Sequence, residues 1–400
     1  MRSLLLPLVL LAGAASAQDR AAVERDFRAW LEGTVWPGAA AGGVSRATFE
    51  AALGGVAPLW DLSGLRPPGA PREARQAQAE FRAPQAYFDP EGVAAAVALA
   101  REMAEAHADT LADVERATGV PGPMLLAIWG RESAFGRAAL PYDAFAVLAT
   151  RGFMGERADL FAAELLAALR VAEEGLVTPA SMRSSAAGAL GQPQFLPSSV
   201  LDHAADGDGD GIADIWASEA DALASIGAFL RNHGWVAGLP WGLEVTAPSE
   251  VSCALEGPDR ARPGADWAAL GVTARGPLPE GALFLVMPAG RHGPAFLATA
   301  NFLVLKDYNT SDLYALWVGE VADRIAGGMG TEAPWEDVEA PARAEVARAQ
   351  RRLMAEGLDT GGDDGLPGFR TRRAIGAWQE ARGLAPTCWP DPATLAALLP

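Results

Sequence analysis

No stretch limits the folding of this chain more than TEAPWEDVEAPA, residues 331–342, which is acidic and holds two prolines. It carries little apolar surface and its prolines withhold backbone donors, so it reads as a linker that divides the chain. The segment beyond it differs in charge. Residues 343–400 hold eight arginines against seven acids, whereas the whole chain stands at −18. Three helical patterns lie there. Val346, Leu353 and Met354 share a face that stops at Gly357, and Ala374, Ile375 and Trp378 lead to Gly383. Asp391 and Pro392 then supply a cap and a first-turn proline for Leu395 and Leu398. The expectation is a small three-helix unit over 343–400, joined through a linker at 329–342.

The part before the linker is long enough for a substantial core, and half of all 400 residues are apolar. That excludes a disordered chain. The acidic balance argues against a nucleic-acid surface, which needs cations facing phosphates. Lys306 is the only lysine. Residues 1–17, MRSLLLPLVLLAGAASA, have the layout of a cleavable secretory signal, with a cut expected after Ala17. The apolar run is too short for a spanning helix, and no cysteine near the cut offers a lipid anchor. These features place the mature chain in a periplasm. Cys253 and Cys388 either pair, tying the C-terminal segment to the main body, or stay as two buried thiols. With His107, His203, His233 and His292 they show no zinc spacing.

Along the main body, 18–60 reads as helical, with Val23, Phe27, Trp30 and Leu31 on one face. A Pro/Gly-rich stretch at 65–71 is followed by a second helical run over 90–118. The segment 120–324 mixes helical patterns with two β-like stretches, 283–287 and 302–305. Its most pointed feature is VPGPMLLAIWGRESAFG, 120–136. Pro121 and Pro123 suit a helix start, and Leu125, Ile128, Trp129, Glu132 and Phe135 follow one helical stripe, with Arg131 about 100° away. Desolvation favours a protonated carboxyl, which can donate a proton to a leaving oxygen. A glutamate at the stripe's edge, paired to an arginine or solvated, fits the local pattern too. Asp143, in LPYDAF, reads as a cap or turn residue.

The stretch GVPGPMLLAIWGRESAFG resembles the catalytic helix of the membrane-bound lytic transglycosylase B family, with the acid/base glutamate at Glu132. SSAAGALGQPQFLPSS resembles that family's glycine-rich active-site loop, and NFLVLKDYNTSDLYALWVGEVADRI its later signature. The resemblance covers roughly 20–325. It implies a mainly α chain, with a lysozyme-like α+β catalytic domain over 18–328 (helical part 18–118, core 119–328) and a small β portion. It implies cleavage of the β-1,4 bond between N-acetylmuramic acid and N-acetylglucosamine, the C6 hydroxyl closing a 1,6-anhydro ring. One carboxylate then suffices where glycosidases ordinarily use two, because an intramolecular nucleophile has a high effective concentration. The resemblance assigns saccharide contacts to Ser185 and Gln194, and places Asn309 and Tyr314 opposite the glutamate. Phe229 stands where the family often has tyrosine, keeping an aromatic face without the hydroxyl. Ser184-Ser185-Ala186 replaces a Gly-Ser-Trp-like run.

Asp206, Asp208 and Asp210 alternate with glycines, and Ile212 offers a carbonyl, as in an EF-hand-type calcium loop. Position 12 of that loop is Ala217 instead of glutamate. The resemblance points to Asp221 as the later ligand, with Glu219 as its rival, and a turn without metal is the competing reading. No cofactor is implied for the chemistry, only structural Ca²⁺. The C-terminal unit resembles the peptidoglycan-binding type 1 domain at Gln350, Leu353, Gly357, Asp364-Gly365, Thr371, Ala374, Trp378-Gln379, Gly383-Leu384 and Thr394. It reads LPGF where such domains show G-x-F/Y-G. The expected partner is the glycan strand of peptidoglycan, met by a monomer. A water-using muramidase and a non-catalytic wall-binding scaffold are the alternatives.

Overall fold

The computed structural model describes residues 10–68, 84–339 and 341–399. The first nine residues of the expected leader, part of the Pro/Gly stretch (69–71) and position 340 of the expected linker lie outside the described residues. In chain order the helices are α1 (Leu10–Trp30), α2 (Trp36–Ala41), α3 (Arg46–Leu53), α4 (Pro90–Ala106), α5 (Ala108–Thr118), α6 (Gly122–Ser133), α7 (Ala144–Met154) and α8 (Ala158–Glu173). Next come α9 (Pro197–His203), α10 (Glu219–Asn232), α11 (Gly264–Ala269), α12 (Ala300–Tyr308), α13 (Asp312–Ile325), α14 (Arg343–Ala355), α15 (Phe369–Glu380) and α16 (Pro392–Leu398). The strands are β1 (Tyr142–Asp143), β2 (Arg183–Ser184), β3 (Gly242–Thr246), β4 (Arg262–Pro263), β5 (Thr273–Ala274), β6 (Ala282–Val286), β7 (Pro288–Arg291) and β8 (Ala295–Ala298). The fold is mainly α, lysozyme-like with a small sheet and C-terminal helices. Among the described residues no helix is long and apolar enough to cross a membrane.

The chain forms two compact units, Met1–Arg75 with Glu132–Ser225, and Gln76–Arg131 with Ile226–Pro400. The first is built on α7 and α8. Nearly all of α7 is buried, and Asp143 caps it, its Oδ1 accepting from the Ala146 amide at 3.0 Å. At Gly152 a Cβ would lie 3.0 Å from the Ala162 amide nitrogen, so glycine is what lets the two helices close on each other. Inside this unit β1 pairs with β2 through Tyr142 and Ser184, joining the loop after α6 to the start of the glycine-rich loop.

The second unit holds an antiparallel sheet in the order β4-β6-β8-β3-β5, with Leu285 opposite Leu297 and Val245 opposite Ala295. Leu283 and Leu285 of β6 join the buried cluster of Trp267, Cys253 and Cys388. Phe284 turns the other way, its ring 5.9 Å from that of Phe302. Burial on both faces explains why β6 reads as a continuous apolar run. The other β-like stretch, 302–305, is helical and forms the middle of α12. A short apolar run has no decisive period, and here capping decides: the Thr299 hydroxyl accepts from the Asn301 amide at 3.1 Å. Wholly buried Asn301 then accepts from the Val236 amide and donates to the Val236 and Leu239 carbonyls.

The C-terminal helices pack around Ala349, Leu353, Ala374, Ile375, Trp378, Leu395 and Leu398. Val346 is buried with them, but Met354, expected on the same face, is 39% exposed. Adjacent helix positions lie about 100° apart, so Leu353 and Met354 cannot both point to the centre of the core. Within this unit α15 lies beside the short 3-10 turn Cys253–Leu255, and Cys253 is disulfide-bonded to Cys388 with Cα atoms 6.4 Å apart. The acidic segment before α14 is held as well. Trp335 stacks on Phe88 with centroids 4.4 Å apart, and the Glu332 and Ala333 amides donate to Glu244.

Candidate active site

Glu132 occupies the last turn of α6, an apolar helix whose residues 124–129 are all buried. Glu132 is half-buried as a residue, while Arg131 is exposed. Arg131 is nevertheless held, its guanidinium 4.4 Å from the Tyr87 ring centre and 4.9 Å from that of Trp317. This grip fixes the rotation of the helix end one residue before Glu132.

Directly after Ser133 the backbone enters the left-handed region three times, at Ala134 (φ 50°), Phe135 (φ 60°) and Gly136 (φ 72°). The Ser133 hydroxyl accepts from the Gly136 amide at 3.0 Å and closes the turn. Two non-glycine residues in that region are costly, and such strain persists where the surroundings enforce it. Gln192 supplies part of the enforcement. A Cβ on Gly136 would come within 2.5 Å of its Oε1. Gln192 is itself 7% exposed, donating from its amide to the Ile215 carbonyl at 2.9 Å and from Nε2 to the Trp216 carbonyl at 3.3 Å.

The glycine-rich loop is equally constrained. Ser185 and Gln194 are half-buried. The Ser185 amide donates to the Ala189 carbonyl at 2.9 Å, and its hydroxyl accepts from the Ala189 amide at 3.3 Å. Leu190 and Phe195 exchange backbone hydrogen bonds, which folds 190–195 into a tight reversal. Gln194 is in the left-handed region (φ 56°), its Nε2 donating to the Gly191 carbonyl at 2.8 Å. Gly191 (φ 61°) has no room for a side chain: its Cβ would meet Ile215 at 2.7 Å. The Glu132 turn and the 185–195 loop therefore meet through Gln192, which no sequence motif singled out.

In the second unit Phe229, 6% exposed, stacks against His233 at 3.9 Å and meets Tyr308 at 4.7 Å. Tyr308 lies nearly parallel to Tyr314 at 6.4 Å. Asn309 ends α12, its Oδ1 accepting from the Ser311 amide at 3.2 Å. The Ser311 hydroxyl in turn caps α13 by accepting from the Tyr314 amide. Tyr308 completes this aromatic row, and its only sequence signal is adjacency to Asn309.

Residues 26–323 match the transglycosylase SLT domain. The chain belongs to the transglycosylase SLT family. Residues 342–398 match the putative peptidoglycan binding domain. The membrane-bound lytic murein transglycosylase B of Escherichia coli (strain K12) is 31% identical over 211 residues, 52% of this chain. The chain spans 58% of that curated relative's length. SltB3 of Pseudomonas aeruginosa, solved in complex with NAG-anhNAM-pentapeptide and with NAG-NAM-pentapeptide, is 35% identical with a TM-score of 0.81. That match covers 93% of this chain and 99% of SltB3. The Escherichia coli lytic transglycosylase Slt35 in complex with calcium is 27% identical, with a TM-score of 0.52 over 60% of this chain and 76% of the other.

In this transglycosylase SLT chain Asp206, Asp208 and Asp210 bring one carboxylate oxygen each within 4.8 Å of one another. All three are exposed. The loop is folded on itself, Asp206 accepting from the Gly209 and Gly211 amides and Asp208 from the Ser218 hydroxyl. Three anionic oxygens that close repel unless a cation, solvent or hydrogen-bond donors relieve them, and hard oxygen donors at this spacing are of the kind a divalent ion takes. Ile212 is exposed, its amide donating to Asp210 at 2.8 Å. Asp221 is buried at 1% exposure. One of its oxygens accepts from the Gly207 amide and the other from the Asp214 amide, both at 2.7 Å. Asp221 thus fastens the two ends of the loop. The same loop leads directly into Ile215 and Trp216, whose carbonyls hold Gln192.

Proposed function

We propose that this protein is a lytic transglycosylase of peptidoglycan that uses Glu132 as its single acid and base. The observation carrying this reading is Glu132 at the end of an apolar helix, followed by a strained turn that Gln192 locks to the Gln194 loop. The protonated carboxyl gives its proton to the bridging oxygen as the bond to C1 of N-acetylmuramic acid breaks. The resulting carboxylate takes the proton of the C6 hydroxyl as that oxygen bonds to C1, closing the 1,6-anhydro ring. No water is consumed, and Glu132 ends as it began. Ser185 and Gln194 offer neutral donors and acceptors to sugar hydroxyls, as do Asn309 and Tyr314. None of them adds a charge that would compete with the glutamate.

Glu132→Gln keeps the shape and removes the proton donor, so muropeptide release from sacculi should fall about 10²–10⁴-fold with an unchanged melting midpoint. Undiminished release by the variant would end the assignment. Product mass separates the mechanisms: the anhydro ends of a transglycosylase are one water lighter than the ends left by a muramidase. A wild-type chain that binds sacculi and releases nothing would instead be a scaffold. SltB3 with NAG-anhNAM-pentapeptide supports the transglycosylase.

The calcium reading rests on the three clustered carboxylates and on the calcium complex of Slt35. Asp206, Asp208 and Asp210 would hold the ion, Ile212 would add its carbonyl, and Asp221 would brace the loop or join the ligands. At calcium about a hundredfold above its dissociation constant the folded state gains about 2.7 kcal/mol, read as a rise in melting midpoint over an EDTA-treated sample. Asp208→Asn should reduce that rise, and no rise at millimolar calcium would refute the site. The ion's influence would reach Glu132 through Ile215, Trp216 and Gln192.

A further inference from the structure

Arg372, on α15 of the peptidoglycan-binding segment, is 3% exposed and reaches out of its own domain. Its Nε donates to Glu256 at 3.1 Å, and Nη2 to Glu256 at 2.5 Å and to Asp312 at 3.0 Å. Nη1 donates to the Pro367 carbonyl at 2.8 Å. Glu256, wholly buried, also accepts from the Met287 amide of the sheet. Asp312 accepts from Lys306 at 2.5 Å. Two cations and two carboxylates are thus matched. The neighbouring cavity, lined by Glu256, Lys306, Asp312 and Phe369 among others, measures about 30 Å³. It has room for about one water and none for a sugar ring, so this cluster is no ligand site.

Its place in the chain gives it meaning. Lys306 lies in the last turn of α12 and Asp312 is the first residue of α13. Their ion pair bridges the connection that holds Asn309, and Arg372 fastens that bridge to α15 and to the sheet. Attachment of the C-terminal helices alone has other means on the same face: the Cys253–Cys388 disulfide, Arg373 with Asp259, and Ser252 with Glu380. Arg372 is the residue of α15 that contacts Asp312.

We infer that Arg372 is a positioning residue for the α12–α13 connection, so that the peptidoglycan-binding domain helps to hold half-buried Tyr308 and Asn309 and buried Tyr314 in place. This rests on the reading of Asn309 and Tyr314 as substrate contacts. The experiment uses the full chain with Arg372→Gln and Glu256→Gln combined, which removes one charge of each sign and leaves the Lys306–Asp312 pair. Amide exchange over 305–315 should become about tenfold faster, with exchange in α14 unchanged. The kcat on glycan strands should fall roughly tenfold while KM and sacculus binding stay within about twofold. Arg372→Lys keeps the charge without the forked geometry and should fall between wild type and double variant in both measurements. It also carries the test if the double variant does not fold. Wild-type exchange over 305–315, or a rate loss no larger than the loss of folded protein, would overturn the inference. Exchange needs no substrate, so an inert wild-type enzyme would sink the proposed function and leave this inference to be decided by exchange.

Discussion

Glu132 and Glu256 are both carboxylates on apolar ground, and the chain treats them in opposite ways. Glu256 is wholly buried and closed in by permanent donors, Arg372 and the Met287 amide. Burial pushes its carboxyl above the ordinary range, and the guanidinium pulls against that rise. Burial likewise works to raise Asp312, but Lys306 and Arg372 outweigh it and hold that carboxyl low. Glu132 is half-buried, and the backbone around it is tightly fixed, with an apolar helix before it and left-handed residues at Ala134, Phe135 and Gly136 after it. On the proposed reading, a carboxylate that gives and takes a proton needs a fixed backbone on both sides. One that must tie elements together is best enclosed by opposite charge.

Breaking the docked region should have the largest effect on stability. Replacing both cysteines by alanine, or reducing the disulfide, should destabilise the second unit by about 2–5 kcal/mol. Calorimetry with and without reductant measures it. An unchanged midpoint would show that Arg372 and its partners hold the C-terminal helices unaided.

Asp323 sharpens the comparison because, unlike wholly buried Glu256, it is exposed as a residue while its carboxyl faces an indole, Trp241 Nε1 donating to it at 3.0 Å. Desolvation of that carboxyl, opposed by the hydrogen bond and reinforced by Glu320, raises it from 3.8 to about 6. The folded state therefore binds this proton more tightly than the unfolded chain does. The stabilisation is complete below the unfolded value and is lost as pH rises through about 6. Asp323→Asn keeps the acceptor without the charge. Because solvent screens an exposed residue, it should be more stable than wild type by less than about 1 kcal/mol at pH 7.5, with the gap closing near pH 4. A pH-independent difference would refute the assignment.

On the Glu132 side the expected change lies in rate more than in stability. Gln192→Ala removes the hydrogen bond to the Trp216 carbonyl and the packing on Gly136, at a cost of about 1–2 kcal/mol. Turnover should nevertheless drop several-fold, because the strained turn beside Glu132 loses its support. Equal losses in stability and folded-fraction-corrected rate would make Gln192 an ordinary core residue.

What the sequence determined by itself is what local periodicity and capping can carry. The helix bearing Glu132, the Asp143 cap, the apolar strand at 282–286 and the three C-terminal helices with their Asp391 cap were all legible from spacing within a few turns. Tertiary structure decided the rest. It turned Met354 outward and paired Cys253 with Cys388 across 135 residues. It also made Gln192 the link between two loops and Arg372 the partner of Glu256 and Asp312. Those pairings join residues far apart in the chain, and a one-dimensional pattern carries no signal for them. Their energy comes from desolvation and matched charge, which exist only once the core has closed.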